Sequence, residues 1–212
     1  MGKAAVSVHK PTLLIACGAL AREVTQLIRA NNWTSFELAC LPADLHNKPQ
    51  LIPDLMRRKI QAAKRGGKYA RILVLYGDCG TGGLLDAVLE DEQVERIAGP
   101  HCYEFYATPT VFDDLVGQEL GSFYLTDYLV RFFDRLIIQG LGIDRHPQLK
   151  DIYFGNYKRI VYLAQTEDAA LAELAKAAAT RLQLDYVYQQ TGFGDLAGFL
   201  QSRVQDSPPW QA

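Results

Sequence analysis

Apolar residues follow two alternating rhythms along this chain. Short unbroken runs, such as Thr12-Leu-Leu-Ile-Ala16 and Arg71-Ile-Leu-Val-Leu-Tyr76, read as strands buried on both faces. Ser35–Leu41, Arg159–Ala164 and Leu184–Gln189 have the same character, and a weaker run lies near Val94–Ala98. Between them apolar residues recur every three or four positions, the helical period. Leu20, Val24, Leu27 and Ile28 mark a helix over about 20–31, and Ile52, Leu55, Met56 and Ile60 mark another over about 50–65. Further helices are predicted over 84–89, 168–182 and 196–204. From Tyr103 to Asp151 the pattern reads as helical, with its strongest stripes at 115–120 and 128–138.

Strands alternating with helices predict an α/β fold, a mostly parallel sheet with right-handed crossovers and helices on both faces. We expect a single domain across 1–212, ordered over about 12–204, with frayed tails before residue 11 and after residue 206. The helical block 103–151 would form a cap or insertion, and its aromatic-rich part, 123–138, an apolar face for a possible homodimer.

Composition narrows the class. Of 212 residues, 49% are hydrophobic and 22% charged, and the formal net charge is −2. That balance is ordinary for a soluble domain and carries no basic footprint for nucleic acid. No apolar run reaches the length of a membrane span. Leu14-Ile-Ala-Cys17 resembles a lipoprotein cleavage box, but the apolar stretch before it is shorter than the roughly 7–15 residues of a signal core. Gly2 lacks the Ser or Thr at position 6 of a myristoylation signal. A cytoplasmic location is expected, where four cysteines read as thiols or metal ligands rather than disulfides.

Position then gives three of those cysteines a meaning. Cys17 ends the first strand, Cys79 follows the third in Gly77-Asp-Cys-Gly80, and Cys102 follows Gly99-Pro-His. His46 lies in the loop after the second strand. Ligands of open α/β sheets bind outside the carboxyl ends of strands. Gaps of 29, 33 and 23 residues each approximate one strand-helix-strand circuit. Cys17, His46, Cys79 and Cys102 are therefore expected to meet, and three thiolates with one imidazole suit tetrahedral zinc. An iron–sulfur cluster is the alternative occupant. Cys40, inside the second strand, reads as core, although alternation does not decide its face. His101 could replace His46, whereas His9 and His146 read as surface residues.

Asp78 and Glu104 flank the cysteines as candidates for hydrogen-bonding to ligands or for general-base work. Gly77–Gly83 looks like a phosphate cradle but has neither the order of a P-loop nor that of a dinucleotide loop. Tyr103, Phe105 and Tyr106 would wall a pocket or fill the core. Gln189–Asp195 closes the last strand and would either deliver polar groups or only turn the chain.

Cys17-Gly18, Leu45-His46-Asn47-Lys-Pro49, Tyr76-Gly-Asp-Cys-Gly80 and His101-Cys102 together resemble a bacterial and archaeal domain family of unknown function, over about residues 12–200. The resemblance implies an association with corrinoid-dependent methyltransferases acting on methylamines or betaines, and hence with one-carbon metabolism. The chain lacks the D-x-H-x-x-G motif of a corrinoid carrier. The expectation is a metal-binding protein, with zinc holding a substrate thiolate or acting as a Lewis acid. It would act as an enzyme or accessory factor in methyl transfer, on a small-molecule substrate or with a corrinoid or methyltransferase partner. The alternative is an iron–sulfur or metal-carrier protein without catalytic activity.

Overall fold

The computed structural model describes residues 10–205. Of the tails expected at 1–10 and 207–212, residues 1–9, with His9, and 207–212 lie outside the described residues. Within them the chain runs β1 (Thr12–Cys17), α1 (Ala21–Ala30), β2 (Phe36–Leu41), α2 (Ile52–Gly66), β3 (Arg71–Leu75), α3 (Leu84–Asp91) and β4 (Glu95–Arg96). It continues with α4 (Cys102–Ala107), α5 (Pro109–Gln118), β5 (Ser122–Thr126), α6 (Asp127–Arg131), α7 (Leu149–Phe154), β6 (Arg159–Ala164), α8 (Ala169–Leu182), β7 (Asp185–Gln190) and α9 (Gly194–Gln205). A π-helical segment, Asp134–Gln139, lies between α6 and α7. No described helix is long and apolar enough to cross a membrane.

The α/β expectation holds, with all described strand pairs parallel, but there are two sheets rather than one. One has the order β2-β1-β3-β4 and the other β5-β6-β7. The chain divides into two compact units, residues 1–100 with 204–212, and residues 101–203. The physical reason is β5. Ser122-Phe-Tyr-Leu-Thr126 lies inside the block read as helical, yet it pairs along its whole length with β6. Phe123, Tyr124 and Thr126 are aromatic or β-branched and suit a pleated surface, and five residues are too few to show a helical period.

In the first unit, β1 lies between β2 and β3, which is why its run is apolar on both faces. Leu13, Ile15 and Cys17 share one face with Ala39 and Leu41 of β2 and with Val74. Ile52, Met56 and Ile60 of α2 and Leu85 and Leu89 of α3 cover that face. Each such side chain contributes about 1.5–3 kcal/mol when fully buried. The register sets Cys40 opposite Ala16, so it faces the other side of the sheet from Cys17. At its C-terminus α2 stops on Gly67, whose φ of 61° is left-handed.

In the second unit, α4 and α5 cover one face of the sheet through Ala107, Phe112 and Leu115 against Val161 and Leu163. The other face, with Leu125, Ile160 and Tyr162, is covered by Val130, Ile137 and Ile138 and by Leu171, Ala175 and Ala179 of α8. Asp168 starts α8 by accepting from the amides of Ala170 (3.0 Å) and Leu171 (3.2 Å).

Candidate functional site

Three successive βα connections meet at the carboxyl edge of the first sheet. Cys17 closes β1 and leads into a short 3-10 turn, Gly18–Leu20. The β2 connection is a 3-10 turn, Ala43–Asn47, in which Leu45 is buried and His46 largely exposed. The β3 connection carries Cys79. A Cβ placed on Gly18 would stand 3.1 Å from the Leu41 carbonyl and 3.2 Å from the Ala43 amide, so the first connection presses on the second. A Cβ on Gly80 would lie 3.6 Å from Pro49 Cγ, so the third connection touches it too. Cys17 and Cys79 pack against one apolar cluster, together with Leu41, Leu45 and Tyr76.

Asp78 shapes the β3 connection. Its carboxylate accepts from Thr81 Oγ1 (2.6 Å), the Gly83 amide (2.8 Å) and the Gly82 amide (3.1 Å). These donors, the Thr81 hydroxyl foremost, hold its carboxyl below the usual range. The loop that resembles a phosphate cradle thus folds around its own carboxylate. Asp78 is here a loop organiser. Folding around Asp78 drives Cys79 to φ 50°, a left-handed backbone, with its amide donating to the Pro100 carbonyl at 2.8 Å. The Arg96 guanidinium, paired with Asp86, is within electrostatic reach of Asp78 and Cys79.

Burial pushes the Cys17 thiol up, partly offset by the Ala19 amide and the Tyr76 hydroxyl. Burial likewise raises Cys40, with Cys17 adding to the shift. No disulfide joins the four cysteines. Cys102 opens α4 at the start of the second unit. Among the described residues, no group of three or more His, Cys, Asp or Glu stands close enough to hold a metal ion. The first-unit thiols and His46 thus sit on neighbouring loops without forming a ready-made shell.

Candidates in the second unit take structural surroundings. Glu104 lies on α4, where burial, then Asp113 and Asp195, push its carboxyl up. Phe105 and Tyr106 are core residues, and Tyr103 stacks on Tyr124 at 5.7 Å. His101 precedes α4 as its N-cap residue, and His146 is exposed as expected. The Gln189–Asp195 segment turns the chain tightly. Gly194, at φ 45°, sits so close to α4 that an added Cβ would stand 2.3 Å from the Tyr106 carbonyl.

One polar centre went unread in the sequence. Asp127, 1% exposed, accepts from the Tyr162 hydroxyl (2.8 Å), the Gln165 amide (3.0 Å) and Thr166 Oγ1 (2.5 Å). Its own amide donates to Gln165 Oε1 at 2.7 Å. Desolvation, then this carboxylate, raise the Tyr162 phenol far above its ordinary range. Thr126-Asp127 has the form of a strand end passing into a helix cap, a signal visible only once β5 is recognised.

Comparison with known proteins gives a family and little more. A family model described as Protein of unknown function (DUF1638) matches residues 40–200. No curated protein matches the chain. Among solved structures, ornithine carbamoyltransferase from Pyrococcus furiosus aligns with 86% of this chain at 11% identity. The TM-score is 0.25, too low to carry function, and the chain spans about half of that structure, 55%.

Proposed function

We propose that this chain, which belongs to the DUF1638 family of proteins of unknown function, binds a soft metal ion, zinc first, through thiols at the carboxyl edge of its first sheet. What carries the reading is the mutual packing of three βα connections bearing Cys17, His46 and Cys79. Thiolate and imidazole are zinc donors, and a strand-end edge is where open sheets take ligands. Cys102 is the fourth candidate by sequence.

The described residues hold no preassembled trio, so the ligands would gather as the metal arrives. Burial keeps Cys17 protonated until then, and binding would release its proton. Bound zinc would supply a substrate thiolate of lowered pKa or a Lewis acid. Around it, this chain's part would be to orient: Tyr76 and the Ala19 amide donate toward Cys17, and Asp78 fixes the turn that presents Cys79. The motif resemblance extends the proposal to corrinoid-linked methyl transfer in one-carbon metabolism, as an enzyme or accessory factor. The second reading, a carrier that passes metal or an iron–sulfur cluster to a partner without catalysis, is favoured by the same lack of a ready-made shell.

Elemental analysis and a visible spectrum of anaerobically purified protein test the reading, on wild type and on Cys79→Ser, Cys102→Ser and Cys40→Ser. Near one zinc per chain is expected, lost in Cys79→Ser and kept in Cys40→Ser, whose side chain faces away. Loss in Cys102→Ser would admit it as a ligand. Iron with labile sulfide would select the cluster reading. Protein that takes up neither metal, even on reconstitution, would overturn the proposal.

A further inference from the structure

A groove in the second unit, remote in sequence from the thiols, has a chemistry of its own. It encloses about 380 Å³, within the usual range of ligand clefts. One wall is the end of α6 and the π-helical segment, and the other is the face of α8 that carries Leu174, Ala177 and Arg181. A π-turn begins in this wall, where the Gly140 amide reaches back five residues to the Arg135 carbonyl (3.0 Å). Such insertions concentrate at functional positions.

Two features of the lining select a ligand. Apolar side chains are left in water, Phe132 at 37% and Leu174 at 54% exposure. Three guanidinium groups, Arg131, Arg135 and Arg181, face one carboxylate, Asp134, in a chain whose net charge is −2. Asp134 pairs with Arg181. Arg135 rests on the Phe132 ring, 4.6 Å from its centroid, a contact that holds a cation without neutralising it. Arg131 reaches only the edge of Asp168, at 3.6 Å, and its Nε is buried with no hydrogen-bond partner. Arg135 therefore has no carboxylate partner among the described residues and Arg131 only a long one, and the fork of a guanidinium matches a carboxylate or phosphate.

We propose that this groove binds a small amphipathic anion, its acidic head on Arg131 and Arg135 and its apolar body along Phe132, Leu174 and Ala177. The ligand class is an organic acid or acid ester with a short hydrocarbon or aryl portion.

The probe is 8-anilinonaphthalene-1-sulfonate, followed by fluorescence on the full chain and competed with octanoate, octylamine or anionic phosphatidylglycerol vesicles. Saturable binding near one site per chain is expected, displaced by octanoate and not by octylamine. Arg135→Gln should weaken it about tenfold, the loss of one charge-assisted contact. Leu174→Glu, at an exposed position, should abolish it by setting a carboxylate in the groove, with unfolding midpoints of both variants close to wild type. Unsaturable fluorescence, equal displacement by octylamine, or undiminished binding in both variants would overturn the proposal. So would displacement by vesicles alone, which would make the face a membrane contact.

Discussion

At the scale of single residues, polar groups at the sheet ends hold the connections in place. Asp78 and Asp127 do similar work in the two units, since each carboxylate gathers donors from a connection that would otherwise leave amides unpaired. Asp127 does so with almost no solvent, which makes its partners unequal in cost. Asp127→Ala should destabilise the protein by about 3 kcal/mol, because three donors lose their acceptor in a buried site. Tyr162→Phe should cost about 1 kcal/mol, leaving two donors in place. Urea unfolding of both single variants and the double variant measures their coupling. Equal losses, or a tyrosine loss larger than that of the aspartate, would contradict this account. None of this was legible from composition. Asp127 stands within the block read as helical, and nothing in the sequence marks Tyr162 as its partner 35 positions away.

At the scale of elements, the ties between neighbours decide which parts fail first. Arg96 fastens β4 to α3, pairing with Asp86 and donating to the carbonyls of Ile97 (2.9 Å) and Gly99 (3.1 Å). The guanidinium beside Asp86 holds its carboxyl below the usual range. For a carboxyl depressed in the folded state, the stabilisation is present above its unfolded pKa and is lost as pH falls through the folded one. Thermal midpoints measured from neutral pH down to about pH 3 should therefore fall less steeply for Asp86→Asn than for wild type, with the two converging in acid. A parallel pair of curves would refute the linkage. Gly194 is a steric tie. Gly194→Ala would press a methyl group into the Tyr106 and Phe105 carbonyls at a left-handed φ. Circular dichroism melts should show a loss of at least about 2 kcal/mol. Elements of this kind were readable in part. β1, β2, β3 and β6 and helices α1, α2 and α8 were expected within a residue or two of where they lie, because each has a long or unbroken apolar pattern. β5 was not, because five residues between Gly121 and a helix start give no period to count. Missing it turned two sheets into one.

At the scale of the whole molecule, each unit has its own parallel sheet and its own apolar core. Three candidate ligands were legible because strand ends are where α/β sheets gather ligands, a rule that sequence alone can apply. The groove was not, since Phe132, Arg135, Leu174 and Arg181 come together only through the packing of α8 against a helix with an irregular turn. One feature of the second sheet reaches beyond the folded chain. β7 is the terminal strand in the order β5-β6-β7, six residues long, with Tyr188 45% exposed. Half of its residues are polar, with Asp185 at its start and Gln189 and Gln190 at its end, whereas β4, one of the two outer strands of the first sheet, is only two residues long. Charge and brevity are the usual guards against strand-on-strand self-assembly. On β7 that guard is thin, since Asp185 carries its only charge, so this edge is open to pairing with another strand when the protein is concentrated or partly unfolded.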